Sequence, residues 1–496
     1  MNQPTEKKRF PAWLRHLGWL GFSVLGVATV LVALRWYLIG TAHRTAVELV
    51  KQGRALPPGF SRTAGEDAAS SQPVASRDKP LAEFPLLQAF LDEESPAGKE
   101  LQQQLSEMTA LFSGGMINKS RVDGVVSFRT LLGKMGMEVP ESMTEAEAAA
   151  EFLKRADKFS GLLARWRDAV AEGPWDYTSP DYSFGSTPSG KIAMLSGRFP
   201  GLLGVRAEAY LRTGDADAAF SDWQTLALSA ERCNDKASLI AGMVGFSIKN
   251  QLFRTAHAGM QLGGWTDEQL GQMSETVANE NALASMFRDV EQEKSDVTGY
   301  FSRFPEKRAE LARPFLGTQS PVDNFVNQIA LGMTTEQQMA DNIALMQYKM
   351  EQPFTLFDPN TGFYQAPPGG EVVKSKSPDT WFDKFYFMYS DNMGDGFFTQ
   401  LPERIIKNQS AVDQTRIAAA LELHQRSTGQ YPETLEAVSG AFPGALPRDI
   451  ATGQPYFYQL NADGGYTLWG TGIDGKSEGG NEKTDVTWTH RPVKGK

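Results

Sequence analysis

The chain has 496 residues, a net charge of −10 and a single cysteine, Cys233. The negative charge argues against DNA or RNA as a partner, because affinity for a phosphate backbone comes mainly from lysine and arginine side chains. A single cysteine excludes an internal disulfide, so hydrophobic cores must stabilise the two or three domains that this length allows.

An apolar segment near the N-terminus is long enough to cross a bilayer. Residues 17–34 carry no formal charge, and the apolar run continues past Arg35 to residue 39. About 20 apolar residues span the hydrocarbon core as a helix. The sequence therefore predicts an arm at 1–16 and a transmembrane helix at 17–39, which would contact membrane lipid.

The basic residues around this segment favour a cytoplasmic N-terminus, which places the bulk of the chain outside the cytoplasm. We expect a single-pass protein of the bacterial inner membrane. A cleaved signal peptide ending near Ala42 is the alternative, although the apolar region is long for one. The charges compared are Lys7, Lys8, Arg9 and Arg15 before the segment, and Arg35, Arg44, Lys51 and Arg54 at its end or after it.

A linker and a long helical region follow. Residues 40–80 are predicted to be a flexible linker, since their later part is rich in proline, serine and alanine. Residues 81–410 are predicted to be a helical domain because apolar residues recur there at helical spacing. Two such stripes are Ala219, Trp223, Leu226 and Ala230, and Leu283, Met286, Phe287 and Val290.

Residues 207–220 resemble the turn of a tetratricopeptide helix pair, in which Gly214 and Asp215 close one helix and open the next. No 34-residue period continues through the chain, so we expect an irregular helical array. Such arrays usually bind partners, which suggests a protein partner in the cell envelope.

No catalytic motif is present, and the five histidines show no metal-ligand spacing. We therefore name no catalytic residue and expect a protein that is not an enzyme. An envelope enzyme with its active site in the helical domain is the alternative, and a deep pocket with convergent polar groups would distinguish it. The aromatic-rich stretch at 352–398 is either a recognition surface or a connection packed onto the helices.

The C-terminal region, 411–496, is predicted to be a small α+β domain. A helix at 413–425 is ended by Gly429, and a short helix follows at 431–438. Alternating residues at 456–460 and 465–469 predict a hairpin with an antiparallel sheet.

Residues 470–477 satisfy the P-loop expression G-x-x-x-x-G-K-[ST]. A P-loop requires a helix directly after the motif. Gly479 and Gly480 oppose such a helix, and Asp474 would face the phosphates. We therefore predict that no nucleotide binds here.

The order of motifs at the C-terminus resembles the globular part of the major pseudopilin of type II secretion. The motifs are Gly-x-Tyr-Pro from 429, Leu-Pro-x-Asp-x-x-Thr-Gly-x-Pro from 446, the hairpin, Gly-x-Asp-Gly-Lys-x-x-Gly-Gly from 472, and Asp-Val-x-Trp from 485. In that family the last loop resembles a calcium site. The resemblance implies Ca²⁺ bound by Asp474 and Asp485, with the carbonyl of Gly470, and with Glu478 and Glu482 as further candidates.

Glycines in this loop also suit a backbone folded around a hard cation, while a plain glycine-rich turn remains the alternative. The pseudopilin processing pattern combines a Gly-Phe site with a glutamate in the apolar helix. Gly21 and Phe22 are present here, but residues 17–34 contain no acidic residue, so the pattern is missing. The helical body resembles that of large envelope proteins of planctomycete-like and verrucomicrobia-like bacteria. We therefore expect a mainly α protein, namely a membrane-anchored scaffold or binding protein associated with a secretion or pilus-like system.

Overall fold

The computed structural model describes most of the chain beyond the predicted membrane segment. The described residues are 79–491 without 113, 123, 177–187, 235–237, 302–335 and 368–394. The predicted arm (1–16), transmembrane helix (17–39) and almost all of the linker (40–80) lie outside them. Among the helices that are described, none has both the length and the apolar character needed to cross a membrane.

The described residues are mainly helical, with small antiparallel sheets, as predicted. Four short 3₁₀ helices are described, at Leu81–Glu83, Asp157–Phe159, Gln352–Leu356 and Leu435–Ala441. In chain order the α-helices are α1 (Pro85–Leu91), α2 (Pro96–Leu111), α3 (Gly114–Asn118), α4 (Phe128–Lys134), α5 (Glu145–Ala156), α6 (Ser160–Glu172), α7 (Pro188–Ser196), α8 (Pro200–Thr213), α9 (Ala216–Asn234), α10 (Leu239–Gln261), α11 (Asp267–Thr276), α12 (Ala282–Phe301), α13 (Glu336–Glu351) and α14 (Asp395–Thr428).

The strands are short. The first four are two-residue strands: β1 (Lys79–Pro80) pairs in parallel with β4 (Trp175–Asp176), and β2 (Arg121–Val122) forms a hairpin with β3 (Val125–Val126). A three-stranded antiparallel sheet follows near the C-terminus, in the order β5 (Phe457–Leu460), β6 (Tyr466–Gly470) and β7 (Val486–His490).

The chain divides into two compact units. The larger unit comprises residues 55–302, 350–374 and 396–496. Of the smaller unit, the described residues are 336–349, which form most of α13, and Asp395. The features discussed below belong to the larger unit.

The helix pair predicted around Gly214 is confirmed. Gly214 ends α8 with a φ of +87°, a left-handed conformation that glycine adopts without strain. Asp215 then caps α9, because its carboxylate accepts the backbone N–H of Ala218 at 3.0 Å. Both predicted apolar stripes are buried as well, one on α9 and the other on α12.

A buried ion network connects three of these helices. The Asp222 carboxylate on α9 has no exposed surface and lies 2.7 Å from Nε of Arg206 on α8. Arg167 on α6 donates to the same carboxylate at 3.0 Å. A buried carboxylate must be compensated in this way, since leaving one charge of a buried pair alone is strongly destabilising.

The C-terminal elements follow the predicted order. The helix predicted at 413–425 is part of the longer α14, so position 411 lies inside a helix. Gly429 ends α14 with a φ of +86°, as predicted. The predicted hairpin is confirmed by the pairing of β5 with β6, in which Leu460 lies opposite Tyr466.

Helices α10 and α14 cover the outer edge of β7. His257 and Gln261 on α10 both donate to the carbonyl of Thr489, at 3.0 and 3.1 Å. Gln414 on α14 donates to the carbonyl of Val486 at 2.6 Å. The sheet therefore shares one hydrophobic core with the helices around it.

The described part of the aromatic-rich stretch is packing material. Phe354, Phe357 and Tyr364 are buried, and the N–H of Tyr364 donates to the carbonyl of Ile450 at 2.8 Å. These residues attach the segment to the turn before β5. The aromatic residues at 381–389 lie outside the described residues.

Replacement of Asp222 by alanine should destabilise the helical array. The change leaves the buried Arg206 guanidinium without its counter-ion, which costs about 3–5 kcal/mol. Urea unfolding followed by circular dichroism measures the loss. The control is Asp168→Ala on α6, which removes an exposed aspartate and should change stability by less than about 0.5 kcal/mol. Equal effects of the two substitutions would contradict the role given to the ion network.

Candidate functional sites

The loop at 471–485, between β6 and β7, contains the predicted site residues except Gly470, which is the last residue of β6. No helix begins after Ser477, because these residues form turns and irregular backbone up to β7. The loop therefore has no helix N-terminus to offer a phosphate group. Ser477 instead accepts a hydrogen bond from the Trp469 indole at 2.8 Å.

Asp485 organises this loop through main-chain hydrogen bonds. Asp485 is 5% exposed, and its Oδ2 accepts the N–H groups of Glu478, Gly480 and Asn481 at 3.1, 2.8 and 3.1 Å. Gly480 has a φ of +82°, a conformation that favours glycine. The main-chain N–H groups of the loop thus surround the negatively charged carboxylate of Asp485. The Glu478 residue itself is exposed.

Asp474 lies in the turn at the beginning of the loop, shortly after β6. Its Oδ1 accepts the N–H of Lys476 at 3.1 Å. A Cβ on Gly472 would lie 2.0 Å from the carbonyl oxygen of Thr484 and 3.9 Å from Asp474 Oδ1. Glycine is therefore required at 472, and the Asp474 and Thr484 oxygens both lie near it.

Gly470 has a packing role in this structure. A Cβ there would lie 2.8 Å from the Tyr456 ring and 3.1 Å from Oδ1 of Asp449. Asp449 is buried and its Oδ2 accepts both the N–H and the hydroxyl of Thr471, at 2.9 and 2.7 Å. The aspartate of the Leu-Pro-x-Asp motif thus holds the start of the loop, which needs a glycine beside it.

The predicted metal residues differ in what they offer a cation. Among the residues the structure describes, no three or more His, Cys, Asp or Glu side chains are grouped as metal ligands. Asp474 and the Thr484 carbonyl fit a calcium ion chemically, because calcium takes carboxylate and main-chain oxygens. Asp485 already accepts three N–H groups on one oxygen, and Gly470 supplies close packing.

A buried cluster of titratable groups connects α14 to the sheet. The Tyr431 hydroxyl lies 2.8 Å from Oε1 of Glu422 and 3.1 Å from Nε2 of His490. Burial raises the pKa of Glu422 to about 7 and lowers the pKa of His490 to about 4. Both groups are therefore neutral near pH 6. These three residues form no motif in the sequence, so the sequence alone does not predict this cluster.

A second candidate site is a cleft in the helical body, with a volume of about 370 Å³. The end of α2, together with α3, the start of α8 and one face of α10, forms its walls. The face of α10 is polar, with Ser247, Asn250, Gln251 and Arg254 at positions i, i+3, i+4 and i+7. The described residues that line the cleft include no carboxylate, imidazole or thiol.

Arg254 enters the cleft without an acidic partner among the described residues. Its guanidinium donates to Oδ1 of Asn118 at 3.1 Å. Burial, and next the charge of Arg121, lower the pKa of Arg254. The nearby Glu208 carboxylate is already bound to Arg121 at 2.6 Å and to the N–H of Val126 at 2.8 Å. The cleft therefore carries an uncompensated positive charge.

The N-terminus of α8 lies in the same cleft. Pro200 is its first residue, Phe199 provides no side-chain cap, and Gly201 and Leu202 line the cleft. The first N–H groups of a helix have no partners within that helix. Arg198, also in the lining, makes no side-chain hydrogen bond or ion pair with the other described residues. Sequence reasoning missed this cleft entirely.

Glutamine at position 422 should change the pH dependence of stability. The pKa of Glu422 is raised from an ordinary 4.5 to about 7, so its contribution is fully present below pH about 4.5 and is lost as the pH rises through about 7. Glu422→Gln keeps a neutral side chain of the same shape. Between pH 5 and pH 8, the free energy of unfolding should therefore fall in the variant by on the order of 1–3 kcal/mol less than in the wild type.

Urea unfolding at the two pH values measures this difference. The control is Glu433→Gln, which changes an exposed glutamate of the same domain and should behave as the wild type does. A Glu422→Gln protein that loses as much stability as the wild type would show that Glu422 is already ionised in the folded state at pH 5.

Comparison with protein-family models, with curated proteins and with solved structures found no match to this chain. The roles given to the loop and to the cleft therefore depend on their own geometry.

Proposed function

We propose that this protein is a membrane-anchored binding protein that acts as a scaffold outside the cytoplasm, with its binding site in the helical body. The observation that carries the proposal is the cleft beside α10. It brings together two arginines, amide groups and an apolar wall, which are groups that bind a ligand. Acid–base or nucleophilic catalysis needs a carboxylate, imidazole, thiol or activated hydroxyl near the ligand.

An enzyme with its active site in the helical body is the second candidate, and the buried titratable groups give it little support. Glu422 and His490 have shifted pKa values, which is common at active sites. They are only 4% and 3% exposed, however, and they lie in the core between α14 and the sheet. A substrate would have to open that core to reach them.

The anchor and the biological setting come from the sequence. The apolar segment at 17–39 supports a single pass through the inner membrane, with a cytoplasmic N-terminus and contact with membrane lipid. The C-terminal resemblance to the major pseudopilin supports association with a secretion or pilus-like system. The order of α14, hairpin, loop and β7 agrees with that resemblance.

Photo-crosslinking in membranes tests the binding function. A photoreactive amino acid at Asn250, in the cleft, should crosslink the full-length chain to one defined envelope protein. The same amino acid at Glu268, exposed at the start of α11 and outside the cleft, is the matched control and should give no such product. The binding function is contradicted if position 250 yields no product, or the same products as position 268.

Calcium is the second part of the proposal. We propose that Asp474 and main-chain oxygens of the loop at 471–485 hold a calcium ion, while Asp485 holds the loop itself. When bound, the ion would stabilise the loop and its connection to β7. At a free calcium concentration 100 times the Kd, such binding adds about 2.7 kcal/mol of stability.

Removal of calcium should therefore lower the thermal unfolding midpoint of the detergent-solubilised full-length chain. Hydrogen exchange should increase first in β7. Asp474→Ala should abolish the difference between calcium and chelator, whereas Asp463→Ala, an exposed aspartate in the hairpin turn, should leave it intact. If chelation does not change the wild-type midpoint, the loop is a glycine-rich turn without a metal.

A further inference from the structure

Exposed apolar and basic side chains lie together along the outer side of α10. We infer that this surface, to which α7, α10 and the segment from α3 to β2 contribute, rests on the anionic headgroups of a lipid bilayer. We call it the α10 surface. The inference rests on the membrane anchorage proposed above and goes beyond it, since it gives the folded body a lipid contact of its own.

Three large apolar side chains of the α10 surface face solvent. Val122 in β2 is 57% exposed, Met194 on α7 is 55% exposed and Ile240 on α10 is 44% exposed. In the described part of the chain only Phe457 and Leu460, both on β5, are exposed in the same way. Single exposed apolar residues are ordinary, so their meaning depends on the charges around them.

The segments that form the α10 surface contain no acidic residue. Residues 114–122, 188–207 and 239–261 include seven Lys and Arg and no Asp or Glu, in a chain whose net charge is −10. Three of the seven are paired with acidic side chains of other segments. The other four are exposed and form no ion pair with any residue that the structure describes, namely Lys119, Lys191, Arg198 and Arg254. The surface therefore carries an uncompensated positive charge.

A stripe along α10 forms the middle of this surface. Ile240, Val244, Ser247 and Arg254 lie at positions i, i+4, i+7 and i+14 of the helix, and none of the four is fully buried. The end of α7 adjoins the stripe, since a Cβ on Gly197 would lie 3.5 Å from Cγ1 of Val244.

Helix α7 adds a parallel row of side chains. Lys191, Met194 and Arg198 are exposed and lie at positions i, i+3 and i+7. The helical turn continues as far as Arg198, whose N–H donates to the carbonyl of Leu195 at 2.9 Å. An exposed methionine thus lies between two cationic side chains on one face of the helix.

The segment from α3 to β2 extends the surface at the C-terminal half of α10. Arg254 donates to Oδ1 of Asn118 at 3.1 Å, and Lys119 is the next residue in the chain. Val122 follows three positions later. The most exposed apolar side chain therefore lies in the same segment as an unpaired lysine.

This composition favours a lipid surface over a protein partner. Lysine is depleted in protein–protein interfaces, which are built around buried aromatic residues. Basic residues beside exposed apolar side chains are typical of surfaces that lie among lipid headgroups, where the apolar groups enter the boundary of the acyl chains. Each Lys or Arg near an anionic bilayer strengthens binding about fivefold.

The proposed anchor makes such weak attractions sufficient. The anchor ends at residue 39 and β1 begins at Lys79, so this length of chain keeps the body within at most about 140 Å of the bilayer. Binding of a tethered surface is an intramolecular step with a high effective concentration. The cleft opens on the same surface, so an envelope protein that binds there would be contacted at the bilayer.

Photo-crosslinking in purified vesicles tests the lipid contact. The full-length chain, with a photoreactive amino acid at Met194, is reconstituted into vesicles of phosphatidylcholine alone and of an equal mixture with phosphatidylglycerol. Lipid adducts should be at least about tenfold more abundant in the anionic vesicles, and they should decrease at high salt because salt screens the attraction. The same amino acid at Glu268, exposed on α11, should give an equal, low yield in both. Equal yields at position 194 in the two kinds of vesicle, or no adduct there, overturn the inference.

Charge substitutions locate the contact. Lys191→Gln together with Arg198→Gln should lower the yield of adducts at Met194 in anionic vesicles at least about fivefold. The matched control is Lys158→Gln together with Arg165→Gln, which also removes one exposed Lys and one exposed Arg seven positions apart and should leave the yield unchanged. Circular dichroism melting checks that the variants fold. An equal loss in the two pairs would assign the effect to net charge and overturn the inference.

Flotation of the vesicles separates this inference from the anchor. A chain that floats with both kinds of vesicle but forms no adduct at position 194 retains the anchor and loses the surface contact. A chain that does not float with neutral vesicles but forms adducts in anionic ones loses the anchor and retains the surface contact. Crosslinks from position 194 to an acidic protein in native membranes, without lipid adducts in vesicles, would replace the bilayer by a protein partner.

Discussion

The packing of α10 is the constraint on which most of the described structure depends. This helix packs against α7, α8, α9 and α12, and it also supports β7 through His257 and Gln261. A helix surrounded in this way must be apolar on most of its faces, and 15 of its 23 residues are buried. Its glycines permit the close contacts, since a Cβ at Gly259 would lie 2.0 Å from the Trp265 indole nitrogen.

The same packing explains where the cleft lies. The polar stripe of Ser247, Asn250, Gln251 and Arg254 interrupts an otherwise buried helix, and no described helix covers it completely. The stripe faces the start of α8, where the turn before the helix positions Arg198. Arginine and amide groups from two distant parts of the chain therefore meet because α8 and α10 pack together.

The contact of α10 with β7 also connects the C-terminal sheet to the helices. The sheet covers one side of α14, and between them Glu422 and His490 are buried, with the half-buried Tyr431 beside them. Burial of these groups is tolerated because Glu422 and His490 are neutral near pH 6 and share the Tyr431 hydroxyl. The loop at 471–485 follows a related rule, since the buried Asp485 carboxylate is satisfied by main-chain N–H groups.

Local chemistry was enough to predict the secondary structure in several places. Gly214 and Asp215 specify a helix end and a helix cap, Gly429 ends α14, and the alternating residues around β5 and β6 specify a hairpin. Each depends on neighbours within a few residues, so the sequence is sufficient. The absence of a helix after Ser477 follows in the same way from Gly479 and Gly480.

The sequence by itself thus determined the helix pair around Gly214, the hairpin and the irregular backbone after Ser477. Only the tertiary structure decided what the polar residues do. Asp485 accepts main-chain N–H groups and Gly470 packs against Asp449, while Arg198 and Arg254, which are 56 positions apart in the chain, meet in one cleft. The reason is physical: propensity and capping act over a few residues, whereas burial, charge compensation and cleft formation depend on segments that meet only after folding.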